Sequence, residues 1–203
     1  MIAAAILTGG LARRYHGQDK SRLPLDGNGG RGGRTILEHQ LTLAAGVASD
    51  VLVVTSAERA GDFGPERLAA ARLVIDHYRA AGPLGAILTA LDSVSPAPDA
   101  LLVLAADMPG ISRPLVDALL RLHDGGAGCD ATVPQSNHGL EPLAAIYAAS
   151  AATGLRRAFE SGERSLQRAL AAVQVRVMPV EAVSALGDPV LLFRNINRPE
   201  DLA

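Results

Sequence analysis

Ala3-Ala4-Ala5-Ile6-Leu7-Thr8-Gly9-Gly10-Leu11-Ala12-Arg13-Arg14-Tyr15-His16-Gly17-Gln18-Asp19-Lys20 opens on an apolar run and passes directly into paired glycines, paired arginines and a lysine. That order describes a buried strand ending in an anion-binding turn. Glycines let backbone N–H groups approach a phosphate, and basic side chains neutralise its oxygens. Two common phosphate motifs are excluded. A Walker A loop needs glycine before its lysine, where this chain has Asp19, and no Gly-x-Gly-x-x-Gly follows the strand. The first residues lack a positive segment and reach glycine too early for a secretory leader.

Working outward, apolar runs at 3–7, 51–55, 73–76 and 101–105 end in small, polar or acidic residues and alternate with helical patterns. This is the signature of βα units on a parallel sheet. Thr35-Ile36-Leu37-Glu38 has capping-box spacing and predicts a helix over 36–45. Further helices are expected near Gly85, after Gly82-Pro83, and near Pro114, with Leu115, Val116, Leu119 and Leu120 on the buried face. Beyond 125–128 the rhythm is less regular. Strands are expected at 131–134, 142–147, 175–180 and 191–195, and alanine-rich helices at 153–160 and 165–173. The glycine-rich 27–34 stretch reads as a mobile loop on the rim of a site. The expected architecture is α/β, Rossmann-like and three-layered, with a mostly parallel central sheet and one domain over 1–203.

A formal charge of −2 over 203 residues supplies no basic field for nucleic acid. No apolar run is long enough to span a bilayer. Small molecules are therefore the expected partners. The single cysteine, Cys129, rules out an internal disulfide framework and suits a reducing, cytoplasmic setting. His16, His39, His77, His123 and His138 form no i, i+4 pair, so a structural zinc site is not expected, and there is no Gly-x-Ser-x-Gly elbow.

Leu101-Leu102-Val103-Leu104-Ala105-Ala106-Asp107 carries one carboxylate to the carboxyl end of an apolar strand, where open α/β sheets bind ligands. Beside a phosphate loop, Asp107 is suited to Mg²⁺, a hard cation that takes oxygen ligands. Asp76 ends its strand in the same way, before Gly82-Pro83-Leu84-Gly85; metal, ribose and base all remain open to it, as does a turn or helix-capping role. Asn195 and Asn197, two residues apart, share one side of the expected final strand and suit metal-bound water or an acceptor; a turn before a short terminal helix is equally open to them.

Taken in order, these segments resemble the molybdenum-cofactor guanylyltransferases, the MobA-like nucleotidyltransferases. The counterpart of their glycine-rich loop runs without a gap from Leu7 to Lys20, and Asp19-Lys20 favours this family over the related cytidylyltransferases. Further matches are Asp76 with Gly82-Pro83-Leu84, Ala105-Ala106-Asp107-Met108-Pro109, Leu140-Glu141-Pro142-Leu143, Ser161-Gly162-Glu163-Arg164-Ser165 and Asn195-Ile196-Asn197-Arg198-Pro199. Tyr15-His16 replaces the usual Met-Gly, and Gly85-Ala86 inverts the usual order.

The resemblance implies transfer of GMP from Mg-GTP to the phosphate of molybdopterin, with loss of pyrophosphate. A phosphate nucleophile is already ionised, so alignment and charge neutralisation suffice. It further implies that Leu7, Thr8, Gly9 and Gly10 line base and phosphates and that Lys20 and Arg14 neutralise charge, with Arg14 lying toward the acceptor. Asp107 would hold Mg²⁺, and Asp76 would contact the nucleotide. Ser56 lies near the position where relatives place a base-contacting asparagine. Arg164, Asn195 and Asn197 would face the acceptor. Transient contact with molybdoenzymes or cofactor chaperones is implied too. The rival expectations are a cytidylyl- or sugar-phosphate nucleotidyltransferase and a non-catalytic nucleotide-binding relative.

Overall fold

The computed structural model describes residues 1–8, 23, 25, 34–79, 81–125 and 128–196. The four apolar runs of the first half are parallel strands: β1 Ile2–Leu7, β2 Asp50–Thr55, β3 Arg72–Ile75 and β4 Ala100–Ala105. Between and after them lie helices α1 Ile36–Ala45, α2 Pro65–Leu68, α3 Gly82–Ser93 and α4 Arg113–Asp124. β5 Ala131–Ser136, β6 Gly139–Leu140 and β7 Ala144–Tyr147 follow, then α5 Ala151–Glu160, α6 Leu166–Ala169, β8 Val175–Met178, α7 Val180–Ser184 and α8 Pro189–Leu192.

One sheet runs β3-β2-β1-β4-β7-β5-β6, with β8 also pairing β5. β1 is parallel to both β2 and β4, and β2 to β3. β7 enters antiparallel between β4 and β5, so the sheet is mixed around a parallel core. Period-two alternation sorts the β1 side chains to two faces. Ala4 and Ile6 pack with Leu37 and Leu41 of α1 and Leu115, Val116 and Leu119 of α4. Ala3, Ala5 and Leu7 pack with Leu84, Ile87 and Leu88 of α3 and with Leu155 and Leu166 of α5 and α6. Helices cover both faces, which gives the three layers.

α1 has the expected bounds because its capping box forms in full: Glu38 N donates to Thr35 Oγ1 at 3.2 Å, and Thr35 N to Glu38 Oε2 at 2.7 Å. α3 begins at Gly82, earlier than expected, since Gly82 takes φ +67° on entry and Pro83 needs no N–H in a first turn. Leu115, Val116, Leu119 and Leu120 are buried as α4 periodicity requires.

The second half departs more. β7 starts only at Ala144, after a turn in which Ala144 N donates to Glu141 O. The 165–173 segment divides into α6 and a 3-10 turn at Leu170–Ala172. β8 ends at Met178, since Pro179 caps α7. The expected strand at 191–195 is not one. Pro189 opens α8, and the Asp188 carboxylate accepts the Val190 N–H at 2.9 Å, so a capped helical turn displaces the strand. The 27–33 part of the glycine-rich stretch and Asn197 lie outside the described residues. No helix among the described residues is long and apolar enough to cross a membrane.

Candidate active site

Parallel register brings four sequence-distant positions to one edge. Leu7 pairs with Val54 and with Ala105, and Thr55 with Ile75. Thr8, Ser56, Asp76 and Asp107 therefore follow the carboxyl ends of adjacent strands, where a ligand laid across an open α/β sheet meets them together. Backbone bonds lace that edge: Thr8 N donates to Val54 O at 3.0 Å, Asp76 N to Thr55 O at 2.7 Å and Ala106 N to Leu7 O at 3.0 Å.

The side chains along the edge differ in what they are committed to. Thr8 is buried, its hydroxyl donating to Val54 O at 3.0 Å, so Leu7 and Thr8 present backbone rather than side chain. Asp76 Oδ1 accepts from Tyr78 N at 3.0 Å and from the Thr89 hydroxyl at 2.8 Å, which makes it a turn-former anchored to α3. Ser56 is half-buried at the N-cap of a 3-10 turn, Ala57–Asp62, and makes no side-chain capping bond. That turn carries Arg59, whose Nη1 donates to the Thr8 carbonyl. Sequence reasoning missed this guanidinium. Its position after β2 was visible, but its reach to Thr8 depends on β1 and β2 being neighbours.

Asp107 is half-buried in a loop held from two directions. From α1, the Gln40 amide, fully buried, donates to Met108 O at 2.6 Å, and His39 Nε2 lies 2.9 Å from Ile111 O. From the chain's end, Ile196 N donates to Asp107 O at 2.8 Å. Gly110 packs so closely on α8 that an added Cβ would overlap the Leu191 carbonyl. Asn195 is thereby brought beside the Asp107 loop although no strand carries it. Arg164 is exposed; its Nη1 donates to Phe159 O and Glu163 O, and its guanidinium stacks 4.0 Å from the Phe159 ring. Phe159 in turn meets Tyr78 edge-on at 4.9 Å, which sets Arg164 toward the Asp76 side, on the α5 flank. Gly9, Gly10, Arg14, Lys20 and Asn197 lie outside the described residues.

Next to Asp107, on the β5–β7 half of the same edge, lies a cavity of about 260 Å³ whose lining includes Ser136, His138, Glu141, Phe193, Arg194 and Asn195. Glu141 is half-buried there, and the Ser136 hydroxyl donates to its Oε1 at 2.6 Å. Burial pushes the Glu141 carboxyl above its usual range, against the Ser136 hydrogen bond and the His138 charge, which pull it down. In sequence Glu141 stood out only as part of the Leu140-Glu141-Pro142-Leu143 match, with no role attached to it. On the opposite flank, Arg168 and the backbone N–H groups of Ser165 and Arg164 hold the half-buried Glu163 carboxyl down to about 2.

No three His, Cys, Asp or Glu groups converge among the described residues, so they build no all-protein metal cage. The Asp107 carboxylate at the ligand edge fits Mg²⁺, which keeps waters and is commonly held by one or two carboxylates together with substrate phosphates.

An open sheet whose parallel strand ends line up Thr8, Asp76 and Asp107, with a cavity alongside, is the architecture of an α/β enzyme of the nucleotidyltransferase class. The model of the MobA-like NTP transferase domain matches residues 4–177, and the chain belongs to that family. It is 38% identical to a probable molybdenum cofactor guanylyltransferase of Chloroflexus aggregans, over 100% of this chain and 92% of that protein. It is 34% identical to another from Methanothermobacter thermautotrophicus, over 98% and 96%. Among solved structures, the molybdopterin-guanine dinucleotide biosynthesis protein A of Archaeoglobus fulgidus superposes with a TM-score of 0.77 at 30% identity, covering 100% of this chain and 95% of that one.

Proposed function

We propose that the chain is a molybdenum cofactor guanylyltransferase, moving GMP from Mg-GTP to the phosphate of molybdopterin. The observation that carries this reading is one sheet edge with the β1–β2–β3 strand ends on one side of Asp107 and a cavity on the other. The β1–β2–β3 ends supply backbone and carboxylate for a nucleotide. The β5–β7 half supplies a separate cavity for an acceptor.

In the reaction, an oxygen of the acceptor phosphate forms a bond to the α-phosphorus of GTP. The bond from that phosphorus to the β-phosphate bridging oxygen breaks, and pyrophosphate leaves. Because the attacking oxygen is already anionic, the protein's task is alignment and charge neutralisation. Backbone at Leu7, Thr8, Gly9 and Gly10 lines base and phosphates; Lys20 and Arg14 neutralise them; Ser56 and Asp76 address the base and ribose. Asn195 and Asn197 face the acceptor, while Arg164, set toward Asp76 by its stack on Phe159, lies on the nucleotide side instead. Asp107 would hold a Mg²⁺ ion, which would supply charge neutralisation at the phosphate oxygens.

The test is product identity. Purified protein is incubated with equimolar GTP and CTP, Mg²⁺ and molybdopterin, and the products are weighed. Hydrogen-bonding pockets reject mismatched bases strongly, by about 10⁴-fold or more where buried groups are left unpaired, so a guanine dinucleotide is expected almost alone. A predominantly cytidine product overturns the guanylyl reading, and no product with any nucleotide despite binding overturns catalysis.

A further inference from the structure

The cavity beside Asp107 contains an acid that the transfer chemistry does not use. Glu141 sits half-buried in the turn before β7, where its own N–H donates to Pro134 O at 2.9 Å, so its backbone is fixed to β5. Ser136 closes the β5–β6 hairpin and is itself fixed, its Oγ accepting the His138 N–H at 3.0 Å while donating to Glu141 Oε1 at 2.6 Å. Opposite stand Phe193 and the α8 residues, an apolar wall. At about 260 Å³ the space lies just below the range of drug-sized pockets and suits one ring system rather than a dinucleotide.

A carboxylate removed from water carries a desolvation cost, which at Glu141 the Ser136 hydroxyl and the His138 charge offset only in part. The upward displacement of the Glu141 carboxyl by burial is the sign of that uncompensated cost. A ligand offering two adjacent N–H donors would remove it, since a carboxylate accepts such a pair in bidentate fashion. Few small heterocycles present that edge. Aminopyrimidinone rings do, with a ring N–H beside an exocyclic amine; pterins and guanine share it.

We propose that Glu141, positioned by Ser136, is the residue that reads the acceptor, receiving the paired N–H donors of a pterin ring lodged against Phe193. This rests on the acceptor being a pterin phosphate, as argued above. The pterin is assigned here rather than the guanine because the cavity lies on the β5–β7 half of the edge, across Asp107 from the β1–β3 strand ends. The ring would then be held at one end of the acceptor, leaving its phosphate to reach toward Asp107 and Asn195.

The chain has no tryptophan, so pterin emission can be followed without interference from indole. The probes are pterin and lumazine; lumazine carries a carbonyl where pterin has the exocyclic amine, and an N–H at N1, so it lacks the adjacent donor pair. Native protein should bind pterin about ten to a hundred times more tightly than lumazine, the loss expected for one hydrogen bond to a charged group. Glu141→Gln should abolish that preference while leaving GTP affinity unchanged. Equal binding of the two probes by native protein, or no pterin binding at millimolar concentration, overturns the proposal without needing a variant that folds. A Glu141→Gln protein that keeps its preference for pterin, or that loses GTP affinity instead, also overturns it; the latter would put Glu141 on guanine. A cytidine product in the competition assay would sink the guanylyl reading and leave this one standing, whereas guanylyl transfer with no pterin selectivity would do the reverse.

Discussion

Asp107 and Gln40 show how differently two buried-edge residues serve one loop. The Asp107 loop is tied through backbone, with its carbonyl taking the Ile196 N–H, while its side chain stands at the ligand edge. Asp107→Ala should therefore keep a melting transition close to the native one yet lose turnover and Mg²⁺ response. Activity with an unaltered Mg²⁺ dependence would remove Asp107 from the metal site. Gln40 is the reverse case. Its amide is fully buried and donates to Met108 O, one residue from Asp107, while its Oε1 has no hydrogen-bond partner. Gln40→Leu removes that orphaned oxygen but strands the Met108 carbonyl. The net expectation is a loss of about 1–3 kcal/mol in urea unfolding, with turnover falling because the Asp107 loop is less firmly held. Unchanged stability would mean the loop finds another donor.

At the level of elements, the contact between the 107–111 loop and α8 sets the position of one wall of the cavity beside Asp107. Gly110 faces the Leu191 carbonyl so tightly that any side chain forces backbone to move on one side or the other. Gly110→Ala is expected to displace α8, cost about 1–3 kcal/mol as overpacking does, and raise the acceptor KM more than the GTP KM. Equal effects on both would argue that α8 supports the whole edge rather than the acceptor half. The same helix shows where local reading fails. Leu191-Leu192-Phe193-Arg194-Asn195 suits a short strand by composition, but Asp188 and Pro189 start a helical turn first, and the segment is short enough for the cap to win. α1 is the opposite case. Its start signal, Thr35 to Glu38, is made entirely within four residues, and the helix follows it to the expected bounds.

Across the whole molecule, stability should respond to pH through His123, which bonds Thr132 at 3.0 Å between α4 and β5. Burial lowers its pKa from 6.5, Asp124 pulls it back up, and Arg176 lowers it further. A lowered histidine binds its proton more readily in the unfolded chain. Its contribution is therefore full above pH 6.5 and is lost as pH falls from there through the folded-state value. Melting temperature should drop between pH 7.5 and 5.5, and His123→Gln should flatten that slope. A slope identical in the two proteins would show that other groups govern it.

What the sequence determined by itself is the parallel half of the sheet, the capped α1, the buried face of α4, and the family. All of these rest on short-range signals: alternation at period two, apolar spacing near 3.6, cap residues, and a loop read without a gap from Leu7 to Lys20. It also marked Asp76 and Asp107 as strand-end acids, although it left open that Asp76 Oδ1 is spent on a turn with Tyr78 and Thr89. Only the tertiary structure decided that β7 runs antiparallel between β4 and β5, that Arg59 reaches Thr8, and that Glu141 meets Ser136 in a cavity beside the Asp107 loop. These depend on which strands become neighbours and in what register. That choice is made by packing two faces of one sheet against helices from distant parts of the chain, and no local stretch of residues encodes it.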